Sequence, residues 1–240
     1  MRTHFVHEGP SSLQLGLVVA EGVHPEEPVP ALDAALAARL ASLSGGLSVE
    51  QDAFRAAVRD VFRNGRYKPT GRGKPASEYL LRAASEDRFP RINTLVDICN
   101  YLSAASLLPI SIWDLDRAAE HAGWPESLTF GFRLGSEGEH YVFNATGQDI
   151  ALDDLIVGTV AADDGSSRPI VNAVKDSQVT KTTAATRRVA AAIYAPLDDG
   201  PDLSLREVCD AFVALLSATD PTCRCHSAIL TPGDNVTMEP

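Results

Sequence analysis

The residues able to do chemistry fall into a few short stretches. The first runs from Asn93 to Asp114 and holds Asn93, Cys99, Asn100, Ser111 and Asp114. Cys99 is a nucleophile only beside a base or a positive charge. No such neighbour is legible, and a small apolar Cys packed into a helix face is the competing reading. The second is Lys175-Asp176-Ser177 followed by Thr180, Thr182 and Thr183, which reads either as a hydroxyl-rich rim or as a polar turn. The third is Arg66 to Pro75, where Gly71 and Gly73 let backbone N–H groups approach a phosphate and Arg72 and Lys74 add charge. A mobile turn is the other reading, because the Gly-x4-Gly-Lys-Ser/Thr order is absent. Cys223-Arg224-Cys225-His226 lacks the ligand spacing of a zinc site, so no metal is expected. No nucleophile elbow, His-Glu-x-x-His or dinucleotide fingerprint is present.

These residues must be carried by elements. Ser48-x-x-Gln51 opens a helix with Phe54, Val58, Val61 and Phe62 on its apolar face and Arg55, Arg59 and Arg63 opposite. A short helix spans Tyr79 to Ala84. Asn93 caps a helix to about Ser106, with Leu95, Val96, Cys99 and Leu102 inward and Asp97 and Asn100 pointing elsewhere. Strands are expected at 13–20, 110–113, 128–133, 141–143, 155–160, 169–174 and 189–194, and Ser204-x-x-Glu207 opens a last helix. This order implies an α+β fold, with a helix-rich first half and a mixed or antiparallel strand-rich second half. Residues 1–220 are expected to form one domain, and 221–240 a loose tail.

The chain has 240 residues, 45% of them hydrophobic, and a net charge of −11. That balance opposes a broad, sequence-independent grip on nucleic acid. The charge is uneven: Arg55 to Thr94 holds ten Arg or Lys against four Asp or Glu. A local basic face on an acidic body is one reading, and solvated helix faces are the other. No apolar run reaches membrane-spanning length, and Met1-Arg2-Thr3-His4 lacks a secretory core, so a cytoplasmic protein with no membrane or DNA partner is expected.

Pro90-Arg91-Ile92-Asn93-Thr94-Leu95-Val96-Asp97-Ile98-Cys99-Asn100-Tyr101 resembles a run in the editing module, the B3/B4 domain, of the bacterial phenylalanyl-tRNA synthetase β subunit, in its stand-alone form. Pro109, Asp114-Leu115 and Lys175-Asp176-Ser177 with the Thr-rich run to Thr186 extend the resemblance over about 60–200. It implies helices layered over mixed and antiparallel strands, and a tRNA or aminoacyl-tRNA partner without a cofactor. It places Asn100 and Ser111 in the catalytic pocket, with Asn93, Cys99, Asp114, Asp176, Ser177 and Ala192 against the substrate. Arg66, Lys68, Arg72, Lys74 and Arg91 become the tRNA contacts. Three positions depart from the family: Cys99 replaces a Thr, Ser111 a His, and Ala192 the Glu that reads a tyrosine hydroxyl. Losing that Glu removes the group that discriminates by pairing the hydroxyl. The implied activity is trans-editing hydrolysis of an aminoacyl ester on tRNA. Aminoacyl transfer to a small-molecule amine and non-catalytic tRNA or amino-acid binding are the alternatives, and the oligomeric state is open.

Overall fold

The computed structural model describes residues 2–239. Strand β1 (Thr3–His7) and strand β2 (Gln14–Glu21) come first. Four helices follow: α1 (Pro30–Leu43), α2 (Val49–Val61), α3 (Ala76–Ser85) and α4 (Thr94–Ser106). Then come β3 (Ile110–Asp114), α5 (Leu115–Ala122), β4 (Leu128–Leu134), β5 (His140–Val142), β6 (Asp149–Ala151), β7 (Ile156–Ala161), β8 (Ser167–Asn172) and β9 (Arg188–Ala195). The chain closes with α6 (Leu205–Ser217), β10 (Arg224–Leu230) and β11 (Asn235–Met238). The fold is α+β.

Both capping boxes form. Ser48 and Gln51 close the start of α2, and Ser204 and Glu207 that of α6. Each satisfies N–H groups that an open first turn leaves orphaned. Asn93 caps α4, its side chain accepting from the Val96 N–H at 3.0 Å.

Two sheets face one another. A five-stranded sheet has the order β11-β1-β4-β7-β8, in which β1 and β4 are parallel and the other pairs antiparallel. A four-stranded antiparallel sheet has the order β10-β2-β9-β3, and β5 and β6 form a separate hairpin. Aromatic pairs join the sheets: Trp113 lies against Phe130 at 5.3 Å and Tyr194 against Phe132 at 6.2 Å between ring centroids. Helices α4 and α6 cover the other face of the four-stranded sheet. There β2 must approach α6 closely, since a Cβ on Gly16 would meet the Cys209 sulfur at 2.7 Å.

Two expectations are corrected. Residues 221–240 are not a loose tail, because β10 pairs with Leu15 to Glu21 of β2 and β11 pairs with β1. Their hydrogen-bonding partners lie over 200 residues away, beyond any local pattern. The helix α5 was not anticipated either; its start is marked by Asp114, whose type was read as chemistry rather than as a cap. No helix among the described residues is long and apolar enough to cross a membrane.

Candidate functional site

Strand β3 forms the outer edge of the four-stranded sheet, and the end of β8 with the turn after it lies beside that edge. Asn172 builds this turn. Its Oδ1 accepts from the N–H groups of Val174 and Lys175 at 2.7 and 2.8 Å, and its Nδ2 donates to the Tyr141 hydroxyl at 2.5 Å. Tyr141 in turn donates to the Lys175 carbonyl at 2.7 Å. The result fixes Asp176 beside β3. Ser111 donates to the Asn172 carbonyl at 3.1 Å, and its hydroxyl lies 3.4 Å from that of Tyr194. Ser111, Asn172, Asp176, Tyr141 and Tyr194 thus form a polar cluster at the end of the inter-sheet core.

Asp176 is the anomaly in this cluster. Its Oδ1 is buried with no hydrogen-bond partner among the described residues. Burial raises its carboxyl to about 7, against the opposing pull of the Ser111 hydroxyl, the Asn172 and Ile112 backbones and the Lys181 ammonium. Thr180 Oγ1, four residues on, and Trp113 Nε1, two residues after Ser111, are also buried without partners. Native proteins rarely leave such groups unmet, so Asp176 Oδ1 marks a place for a ligand or ordered water. Burial also pushes the hydroxyls of Tyr141 and Tyr194 well above the ordinary phenol range, leaving them neutral hydrogen-bonding groups.

The positive charge near this cluster comes from three segments. Lys181 donates to the Phe143 carbonyl at 2.5 Å, Lys175 stands over the Phe143 ring at 3.9 Å, and burial and Arg72 together lower the Lys175 ammonium. The segment after the glycine loop is tied to the chain just before the Asp176 turn, where the Ala76 N–H donates to the Ala173 carbonyl at 2.8 Å. None of four surface clefts of about 300 to 450 Å³ is lined by the cluster's residues.

The structure sorts the expected site residues. Ser111 and Asp176 come together, and Ala192 lies directly across the β3–β9 pair from Ser111, fully buried. Cys99 is on the helix side of β3; its thiol donates to the Ile110 carbonyl at 3.4 Å, and burial pushes it far above its ordinary value. That environment suits packing, not nucleophilic attack. Asn93 reaches the hydroxyl-rich run, its Nδ2 3.4 Å from Thr182 Oγ1. Asn100, two turns further along α4, is half-buried and makes no side-chain hydrogen bond among the described residues.

Asp114 and Ser177 are committed elsewhere. Asp114 caps α5, accepting from Asp116 and Arg117, and takes the Thr186 hydroxyl at 2.5 Å. Ser177 accepts from the Val179 N–H. Thr183 and Thr186 also bind their own segment's backbone, so most of the Thr-rich run is a self-capped turn.

The basic stretch is largely neutralised. Glu78, only 7% exposed at its side chain, pairs with Arg55, Arg59 and Lys74. Burial pushes its carboxyl up, and those cations hold it below its usual range. Arg91 bridges Asp97 and Asp33 at 2.7 Å each, and Arg66 faces Glu137, Asp153 and Asp154. Arg63, Arg82 and Arg88 have carboxylates of their own. Of the ten cations in that stretch, Lys68 and Arg72 are left without an ion pair among the described residues.

Asn172, Tyr141, Tyr194 and Lys181 were missed in the sequence. Only Asn172 left a signal, an Asn ending a strand before Lys-Asp-Ser.

An α+β protein with a buried polar cluster at the edge of two facing sheets is the class these features define. The B3/4 domain model matches residues 68–196, more than half of the chain, and the chain belongs to that family. Among solved structures, the chain is similar to an N-terminal fragment of the phenylalanyl-tRNA synthetase β-subunit from Pyrococcus horikoshii, with 9% identity and a TM-score of 0.41. The match covers 94% of this chain and 50% of that fragment, so the chain spans half its length. No curated protein matches the chain.

Proposed function

We propose that this protein is an aminoacyl-tRNA-related enzyme that hydrolyses an aminoacyl ester, with Asp176 as the base that activates water. The observation carrying this reading is the buried, unpartnered Asp176 Oδ1 beside Ser111 and Lys181. Membership of the B3/4 family directs it toward tRNA.

A base titrating near 7 matches proton acceptance at working pH. The Asp176 carboxylate takes a proton from water as the water oxygen adds to the ester carbonyl carbon. The tetrahedral intermediate then expels the ribose oxygen, which recovers that proton. Ser111 acts as a positioning residue on Asp176, and Lys181 offers charge to the oxyanion. Asn93 and Asn100 flank the aminoacyl group from α4. Lys68 and Arg72 meet the terminal phosphates. Ala192 offers no carboxylate to pair a phenol, so an apolar side chain is expected over tyrosine. Entry requires the Thr182 contact to Asn93 to open.

The test is deacylation of a panel of aminoacyl-tRNAs, with phenylalanine and tyrosine esters included. Wild type should release free amino acid, and Asp176→Asn should slow this by about 10²–10³-fold. Ser111→Ala combined with Asn100→Ala should also depress it. Release unaffected by Asp176→Asn would remove the proposed base. Turnover only when a small amine is supplied would assign transfer instead, and tRNA binding with no turnover would make the protein a binding module.

A further inference from the structure

The Cys-x-Cys pair takes no part in the proposed ester site. Cys223 and Cys225 flank Arg224 at the start of β10, the outermost strand of its sheet. Their sulfurs lie 3.4 Å apart, in van der Waals contact, and both residues are partly exposed. Alternation along an extended chain puts residues i and i+2 on one side, which brings the two thiols together. A disulfide needs its sulfurs at about 2.0 Å, so the two must close from contact distance to a bond. The other two cysteines differ: Cys99 and Cys209 are buried, and burial pushes the Cys209 thiol up to about 12.

We infer that Cys223 and Cys225 form a thiol–disulfide exchange site that reacts with low-molecular-weight disulfides. The two thiols are unlike. Cys225 is held below its ordinary value by the Cys223 S–H and the Ser217 hydroxyl, against burial. Cys223 is raised by the bond it gives to Cys225, by burial and by Asp220. That asymmetry assigns the roles, because the thiolate is the attacking species. The Cys225 thiolate attacks one sulfur of a disulfide such as glutathione disulfide. The disulfide bond breaks, and the first glutathione leaves as a thiolate that takes up a proton. Cys223 then loses its proton to solvent and attacks the Cys225 sulfur of the mixed disulfide, expelling the second glutathione. The protein dithiol is oxidised to an intramolecular disulfide, and one glutathione disulfide is reduced to two thiols.

The experiment incubates the full-length protein with glutathione disulfide under native conditions and follows intact mass. Wild type should lose two hydrogens and retain no adduct, with peptide mapping placing the bond between Cys223 and Cys225. Cys223→Ser should instead accumulate a glutathione adduct on Cys225. Cys225→Ser should react at least about tenfold more slowly than wild type. Three results would overturn the assignment: no mass change in wild type, a stable adduct on wild type without ring closure, or equal rates for wild type and Cys225→Ser. The wild-type arm needs no substitution, so a variant that fails to fold leaves the test intact.

Discussion

At the scale of single residues, the strongest feature is a carboxylate with one oxygen left without a partner among the described residues. Most buried acids in this chain are met by caps or cations: Asp114 by α5 and Thr186, Glu78 by Arg55, Arg59 and Lys74. Asp176 Oδ1 is not, and burial raises the group to about 7. The linkage follows from the sign of that change. An acid raised on folding is uncosted below the unfolded carboxyl's value near 4, and the fold loses stability as pH climbs from there to the raised value of about 7. Asp176→Asn should therefore gain stability over wild type as pH rises from 5 to 8.5, by roughly 2–3 kcal/mol. Urea unfolding of both proteins at the two pH values measures it. Such a cost is what the proposed role of Asp176 as a base would require the fold to carry. Hydrolysis by wild type should rise through about pH 7, as Asp176 ionises, and level off above it.

At the scale of elements, what the sequence disclosed depended on whether the signal was local. The caps Ser48, Asn93 and Ser204 sit within three residues of the N–H groups they satisfy, and all three close their helices as expected. Asp114 is an equally local cap, yet its place in a family motif drew it into the substrate set and hid α5. The polar cluster was half legible. Ser111 and Asp176 stood out by type and resemblance, whereas Tyr141 and Tyr194 read as ordinary strand aromatics because only sheet packing turns their hydroxyls toward Asn172 and Ser111. Strands β10 and β11 were invisible because their pairing partners stand at the far end of the chain. Asn93 has two separable jobs, capping α4 and holding Thr182. Asn93→Ala should cost about 1 kcal/mol of stability, while Asn93→Asp, which keeps the capping oxygen, should stay within about 0.5 kcal/mol of wild type. Both lose the amide donor to Thr182, so a shared change in deacylation rate would belong to that contact and not to the cap. Denaturant unfolding alongside turnover separates the two.

At the scale of the whole molecule, charge decides how RNA can be held. The net charge of −11 makes the bulk of the surface repel a polyanion. A local basic face over Arg55–Thr94 is one of two readings of the sequence, but its cations are mostly spent on Glu78, Glu86, Asp97 and the acids around Arg66. Lys68 and Arg72 remain without ion pairs among the described residues, and the Arg72 charge helps lower the Lys175 ammonium beside the Asp176 turn. A grip of this size fits a few phosphates at a single-stranded end, not the length of a duplex. Binding of tRNA should then show a shallow salt dependence, with log K falling by about 0.7 per phosphate contact for each decade of salt. Lys68→Ala with Arg72→Ala should weaken binding and reduce that slope by roughly 1–2, while Arg91→Ala, which removes a cation already bridging Asp97 and Asp33, should leave the slope near its wild-type value. Fluorescence titrations of labelled tRNA at several salt concentrations read both quantities. A steep slope unchanged by the double substitution would place the RNA on another surface, and the Asp176 cluster would then lose its route to a tRNA-borne ester.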